Sequence, residues 1–271
     1  MDLSKIAIGA LLLALSCAAP TGEDRSTYED SQADTWIQLF NGENLDGWRV
    51  KVSGYELDDN SLDIFRVEDG VIRIGFDKLE SFNGEFGHLI YGAPLDYYRL
   101  RVEYRFLGEQ LTGGPGWAWR NSGVMLHGQA PETMTVDQSF PVSIEAQMLG
   151  GPVDASGGTR TTANLCTPGT NVEIDGKLFT PHCLNSNSLT HYGDEWATIE
   201  LEVRGGEQIR HWMDDTIVLS YEAPQLDPND SDARRLIEAG AELPLASGYF
   251  SLQAESHPME IRSVKLQIIT D

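Results

Sequence analysis

Two short stretches of the chain place ionisable and amide side chains where an ordinary β-strand would be apolar. One is residues 120–127 (RNSGVMLH), and the other is residues 143–147 (SIEAQ). Because successive side chains of a strand point to opposite faces, Glu145 and Gln147 share one face, and His127 projects from the alternating positions of the first run. A sheet face with carboxylate, amide and imidazole groups is either solvated or lines a binding groove.

Further polar and aromatic residues are predicted at strand ends and in loops. A tryptophan ring stacks on the face of a sugar while neighbouring polar groups bind its hydroxyls, so such residues are candidates for holding a carbohydrate. Each alone is equally compatible with a structural role. A long polar insertion, residues 150–187, is expected to form a wall of the same site. The candidate binding residues are Trp117, Trp119, Arg120, Asn121, Gln147, Gln253, Glu255 and His257.

The elements that must position these residues are nearly all strands. Residues 98–106 alternate apolar and charged side chains, and Asp69-Gly70 is a two-residue turn signal within a hairpin at 65–74. Only residues 230–242 have a helical pattern, with an Asp or a Ser at its start able to act as the N-cap. The sequence therefore predicts an all-β fold, a sandwich of two antiparallel sheets with one minor helix.

The amino terminus resembles an export signal. Lys5 precedes the apolar run 6–15, which is too short to span a bilayer, and small residues lead to Cys17. We predict a lipoprotein signal at residues 1–17 with lipidation at Cys17; ordinary secretion is the alternative. Residues 18–34 read as a flexible tether and 35–271 as the sandwich domain. The protein is then exported, as a periplasmic or outer-membrane lipoprotein that contacts the membrane only through its lipid anchor.

The cysteine count and the net charge narrow the remaining possibilities. Lipidation of Cys17 leaves Cys166 and Cys183 as a pair that an oxidising periplasm would join in a disulfide; two free buried thiols are the alternative. The cysteines lack the ligand spacing of a zinc site. A net charge of −23 makes nucleic acid an unfavourable partner, whereas neutral sugars are not repelled and divalent cations are attracted.

Five motifs in order make the chain resemble the 3-keto-disaccharide hydrolase family over roughly residues 35–269. It departs from the common pattern at Leu149-Gly150, where many members carry Asp, and at residues 261–263 (IRS), where Phe-Arg-Asn is commoner. The motifs are 39–48 (LFNGENLDGW), 65–72 (FRVEDGVI), 120–127, 143–147 and 259–265 (MEIRSVK).

The resemblance implies a concanavalin A-like jelly roll and a role in bacterial glycan breakdown. An upstream sugar 3-dehydrogenase oxidises the hydroxyl at carbon 3 of an oligosaccharide or glycoside, and this family cleaves the oxidised product, as a hydrolase or by elimination and hydration. The ketone acidifies the hydrogen on carbon 2, so a base can remove it while the aglycone leaves carbon 1. Such a route requires a base, an acid and groups that stabilise an enolate.

From the resemblance we expect Glu145 to be the base and His127 the acid. Alternatively both bind a divalent cation, Ca²⁺, Mg²⁺ or Mn²⁺, that polarises the ketone. Arg120 and Gln147 would bind oxygens, and Glu255 with His257 would complete the opposite wall. Two rival readings are a non-catalytic, lectin-like carbohydrate-binding lipoprotein and a structural lipoprotein of a glycan-uptake complex.

Overall fold

The structure is a computed structural model that describes residues 35–154, 156 and 158–270. The predicted signal, Cys17 and the tether lie outside these residues. Across the described ranges, no helix has both the length and the apolar character needed to cross a membrane.

The described residues form two antiparallel sheets, of ten and seven strands, and the predicted two-sheet sandwich is confirmed. Within the larger sheet the spatial order is β11-β10-β15-β14-β13-β6-β17-β4-β3, and β1 also pairs with β17. Its strands are β1 (Ile37–Gln38), β3 (Phe65–Glu68), β4 (Val71–Ile74), β6 (Tyr97–Phe106), β10 (Thr170–Ile174), β11 (Lys177–Phe179), β13 (Ala197–Arg204), β14 (Gln208–Met213), β15 (Thr216–Leu226) and β17 (Met259–Ile268).

The smaller sheet carries both of the polar stretches singled out above. Its spatial order is β12-β9-β8-β7-β16-β5-β2, so β7 and β8 are adjacent near its centre. Its strands are β2 (Trp48–Val52), β5 (Gly87–Tyr91), β7 (Asn121–Gly128), β8 (Ile144–Leu149), β9 (Asn164–Cys166), β12 (Cys183–Leu184) and β16 (Tyr249–Ala254).

Alternation along the strands decides which side chains enter the core between the sheets. In β6, Leu100 and Val102 are fully buried, as the sequence pattern predicts. From the smaller sheet, Val124, Ala146 and Leu252 join the same core cluster. Glu145, Gln147 and Gln253 alternate with these residues, so they lie on the face that points away from the larger sheet.

Local turn and cap chemistry explains the elements at the edges. Asp69 and Gly70 both have positive φ, 47° and 78°, as a two-residue hairpin turn of the primed type requires. The α-helix α1 (Ser231–Glu238) begins where the Asp230 carboxylate accepts hydrogen bonds from the backbone N–H groups of Asp232 and Ala233, both at 2.9 Å. It is shorter than predicted from the sequence, since the chain turns at Gly240 with φ of 102°.

Arginine and glutamate side chains cover the outer face of the larger sheet. Arg99 and Arg101 both pair with Glu200, at 2.8 and 2.5 Å, and Arg105 pairs with Glu260 at 2.7 Å. These are cross-strand pairs of a solvated face, and each contributes little to stability. They nevertheless satisfy the charges of that face internally.

Candidate active site

A cavity of about 400 Å³ lies on the face of the smaller sheet that points away from the core. Strands β7 and β8 form its floor, while loops and the edge strands form its rim. Its size is within the range of small-molecule sites. The lining residues are Trp117, Asn121, Phe140, Glu145, Gln147, Cys166, Pro168, His182, Cys183 and Glu255.

Two larger cavities, of about 550 and 600 Å³, are less suited to chemistry. The first lies over the arginine–glutamate ladder of the larger sheet, whose charges are already paired. The second lies beside α1, where Asp230 is engaged as the helix cap. The smaller cavity differs because buried, unpaired ionisable groups face it.

Glu145 is the central ionisable group of the cavity floor. It pairs in register with Met125 on one side and Cys166 on the other, and it is only 6% exposed. Its carboxylate lies over Gly123, where an added Cβ would come within 2.7 Å of Glu145 Cγ and closer still to Oε1. Oε1 has no hydrogen-bond partner among the described residues. Burial raises the pKa of Glu145 to about 8.

Glu255 follows β16 and supplies a second buried carboxyl group to the same cavity. Burial, and then the charge of Glu145, raise its pKa well above the usual value, while Arg160 acts in the opposite direction. Because the charge of one carboxylate disfavours ionisation of the other, the pair retains a proton over a wide pH range. This is the arrangement in which one carboxyl serves as acid and the other as base.

Two amide side chains, those of Asn121 and Gln147, line the cavity beside the carboxyl pair, and a third, that of Gln253, lies on the same face of the sheet. Asn121 donates through Nδ2 to the Trp117 carbonyl at 3.1 Å, and its Oδ1 has no partner among the described residues. Gln253, fully buried, has neither amide atom paired within the described part of the chain. Gln147 accepts from Asn164 at 3.1 Å. A buried polar atom without a partner costs about 1–3 kcal/mol, so these groups are placed for a ligand rather than for stability.

An arginine–tryptophan cluster adjoins the cavity through Arg160. The guanidinium groups of Arg120 and Arg160 both contact the Trp119 ring, at 5.6 and 5.3 Å from its centroid. The His257 ring meets Trp119 edge-on at 6.1 Å. Burial, and then Arg120 and Arg160, lower the pKa of His257 to about 4, so this imidazole is neutral at pH 7. Both of its nitrogens lack hydrogen-bond partners among the described residues.

His127 is not brought to Glu145, contrary to the sequence expectation. The pairing of β16 with β7 slips by one residue, so that Leu126 and His127 together oppose Phe250. The bulge, with φ of 48° at His127, turns its side chain toward the larger sheet. There Nε2 lies 2.9 Å from the Gly205 carbonyl, and the ring lines a separate cavity. The expected pairing of acid and base, or of two metal ligands, is therefore not assembled.

The donor groups also do not fit the expected divalent cation site. Within the described ranges, the one group of three His, Cys, Asp or Glu ligand atoms lying within 4.8 Å of one another is Cys166, His182 and Cys183. Cys166 and Cys183 are joined in a disulfide across β9 and β12, so neither offers a thiolate. We derive no step through a metal ion.

Sequence reasoning missed Arg160 and the rim residues Phe140 and His182. Arg160 donates to the backbone carbonyls of Gly150, Arg120 and Trp119, at 2.5, 3.0 and 2.7 Å, and so ties the insertion to the start of β7. An arginine in a polar loop carries no periodic signal of such a role. Trp117, Asn121, Gln147 and Glu255 do line the cavity, as Glu145 does.

Comparison with known proteins identifies one family model that covers most of the chain. Residues 35–267 match the family model of the 3-keto-alpha-glucoside-1,2-lyase-like domain. No curated protein matches the chain in sequence.

Several solved structures share the fold at low sequence identity. Two described as candidate glycosyl hydrolases of Parabacteroides distasonis ATCC 8503 superpose with TM-scores of 0.50, at 17% and 14% identity. They cover 89% and 87% of this chain and 97% and 100% of their own. The exoplasmic/lumenal domain of VIP36, in a form bound to Ca²⁺ and Man3GlcNAc, gives a TM-score of 0.47 at 12% identity, over 87% of this chain and 88% of that chain. At these identities the likeness concerns the fold alone.

Proposed function

The chain belongs to the family of 3-keto-alpha-glucoside-1,2-lyase-like domains, and on that premise we propose that it cleaves 3-keto-glycosides by elimination and hydration. The observation that carries the proposal is the buried pair of Glu145 and Glu255 facing one cavity. The chemistry needs one ionised and one protonated group beside the sugar, and a coupled carboxyl pair holds both states at once.

Glu145 is the base of the proposed reaction. Burial raises the pKa of Glu145 to about 8, and the charge of an ionised Glu145 raises the pKa of Glu255, so we assign ionised Glu145 beside protonated Glu255 as the reactive state. The carboxylate then removes the hydrogen on carbon 2, which the neighbouring ketone has made acidic. The electron pair moves into an enolate, whose oxygen the side-chain amide of Gln147, which lines the cavity, would bind.

Glu255 is the acid. Still protonated, it gives its proton to the glycosidic oxygen as the bond to carbon 1 breaks, and the enolate collapses to an enone. Glu255, now ionised, takes a proton from a water molecule as the oxygen of that water adds to carbon 1. Protonated Glu145 then returns a proton to carbon 2. The sum is one glycoside and one water giving a 3-keto sugar and a free aglycone, with both carboxyl groups restored.

The substrate's origin and the protein's location belong to the same proposal. A 3-keto-glycoside must come from an oxidoreductase that acts at carbon 3, so an upstream sugar 3-dehydrogenase is the expected functional partner. The Cys166–Cys183 disulfide fits an oxidising compartment outside the cytosol. Export as a lipoprotein through Cys17 completes this proposal.

The test is incubation of residues 35–271 with 3-keto-α-glucosides and their unoxidised parents, with and without EDTA. Release of aglycone from the keto form alone supports the elimination route, and retention of activity in EDTA supports catalysis by side chains. In D₂O, the variant Glu255→Gln should exchange the carbon 2 hydrogen without releasing aglycone, whereas Glu145→Gln should do neither. Binding of unoxidised glycan with no turnover of any keto-glycoside would instead favour the lectin-like function.

A further inference from the structure

The floor and the rim of the cavity differ in chemistry. The floor carries Asn121, Glu145 and Glu255, all buried, with polar atoms that have no partner among the described residues. Four rim residues are apolar: Trp117, Phe140, Pro168 and Cys183, the last in its disulfide. His182 is the polar exception and is exposed. A ligand that satisfies both parts must have a polar end for the floor and an apolar end for the rim.

The apolar rim is built on a stack of aromatic rings. Trp117 lies parallel to Phe86, with ring centroids 5.8 Å apart and planes inclined by 10°. Phe140 packs on the same Phe86 ring at 4.8 Å, and Phe82 meets it edge-on at 5.0 Å. Trp117 remains 55% exposed, so this stack presents a large apolar surface at the mouth instead of burying it.

Hydrogen bonds between side chains and backbone carbonyls hold the rim in place. The Trp117 carbonyl accepts from Asn121 of the floor at 3.1 Å, and the Phe140 carbonyl accepts from Gln138 at 2.9 Å. His88 Nε2 lies 2.9 Å from the carbonyl of Ser139, the residue before Phe140. The backbone that carries the two rings is thus held before a ligand arrives, which lowers the entropic cost of binding.

We propose that this rim is the aglycone subsite and that it selects glycosides with an aromatic or other flat apolar aglycone over disaccharides. The inference rests on the proposed function, which places the reacting sugar on the polar floor and so directs the leaving group toward the mouth. A second sugar there can stack on Trp117, but apart from His182 and the Trp117 indole N–H the rim side chains offer its hydroxyl groups no hydrogen-bond partner, at a cost in affinity. An apolar ring loses no such bonds.

The test compares benzyl with methyl 3-keto-α-glucoside, and both with a 3-keto-disaccharide whose leaving group is glucose. Benzyl alcohol and methanol are leaving groups of similar acidity, so the ratio of kcat/KM reports the subsite and not the chemistry. We expect at least about a tenfold preference for the benzyl over the methyl substrate, from burial of the ring, and a preference for the benzyl substrate over the disaccharide. The variant Trp117→Ala should reduce the benzyl-to-methyl ratio of kcat/KM to within about threefold, chiefly by lowering kcat/KM for the benzyl substrate.

The matched control is Trp196→Ala, since Trp196 packs against Arg105 and Arg262 on the outer face of the larger sheet. It should leave the ratio unchanged. Preference for the disaccharide, or a ratio insensitive to Trp117→Ala, overturns the subsite but leaves the proposed reaction standing. If no keto-glycoside is cleaved, the reaction fails. The subsite is then judged by binding alone, with benzyl α-glucoside expected to bind more tightly than methyl α-glucoside, and equal binding refuting it.

Discussion

At the scale of single residues, the site is defined by groups that the fold leaves unsatisfied. Glu145, Glu255 and Gln253 are each at most 6% exposed, and each has a polar atom without a partner among the described residues. Such atoms destabilise a folded protein unless a ligand pairs with them. Their concentration on one sheet face is therefore better explained by binding and catalysis than by structure.

The pH dependence of the proposed reaction follows from the carboxyl pair. Because Glu145 must be ionised to act as base, kcat/KM should rise with pH and level off above its pKa of about 8. Loss of the Glu255 proton should lower activity again, because the acid is then ionised; burial and the charge of Glu145 raise the pKa of Glu255 well above the usual value. Measurement of kcat/KM from pH 5 to 10 checks this, and a rate that falls between pH 6 and 8 would contradict the assignment of the base.

Gly123 offers a residue-scale test of where the Glu145 carboxylate must lie. The variant Gly123→Ala puts a methyl group into the space occupied by Glu145 and should lower kcat by at least about tenfold by moving the base. The control is Gly116→Ala, because a Cβ at Gly116 meets nothing within 4 Å. Equal activity of both variants would show that the close approach of Gly123 to Glu145 does not set the position of the base.

At the scale of elements, local patterns account for most of the framework. Alternation predicts the buried face of β6, and Asp69-Gly70 predicts the hairpin of β3 and β4. Both features depend on residues that are neighbours in the sequence. The face shared by Glu145 and Gln147 follows from the same rule. Arg160 could not be placed, since its three carbonyl partners depend on how the insertion folds back. The position of His127 could not be predicted either, because the pattern of apolar and polar residues at 120–127 is compatible with a strand with or without a bulge.

The bulge in β7 separates His127 from Glu145, the two residues expected from the sequence to act as acid and base. Since His127 bonds the Gly205 carbonyl in a turn of the other sheet, His127→Leu should leave kcat/KM within about threefold of the wild type. The same change should destabilise the fold by about 1–3 kcal/mol, because a buried carbonyl loses its partner. Steady-state kinetics and urea unfolding measure the two effects, and a large loss of activity in a stably folded variant would return His127 to the reaction.

At the scale of the whole molecule, the same carboxyl group that serves chemistry should weaken the fold as the pH rises. The pKa of Glu145 is raised from an ordinary value near 4.5 to about 8 in the folded state. The folded protein therefore keeps a proton that the unfolded chain has already lost between these values. By linkage, this contribution to stability is complete below about pH 4.5 and is lost progressively up to about pH 8.

Glu145→Gln removes that dependence, because its neutral amide needs no proton. The free energy of unfolding of the variant should match the wild type near pH 4.5 and exceed it at pH 8 by on the order of 4 kcal/mol, a rise in Tm of roughly 10 °C. The exposed Glu109→Gln is the matched control and should show no growing difference. Calorimetry at both pH values decides the matter. An equal difference in the free energy of unfolding at pH 4.5 and 8 would mean that Glu145 does not retain a proton in the folded protein. A difference that grows with pH, together with lost turnover, would show that one carboxyl group both weakens the fold and performs the reaction.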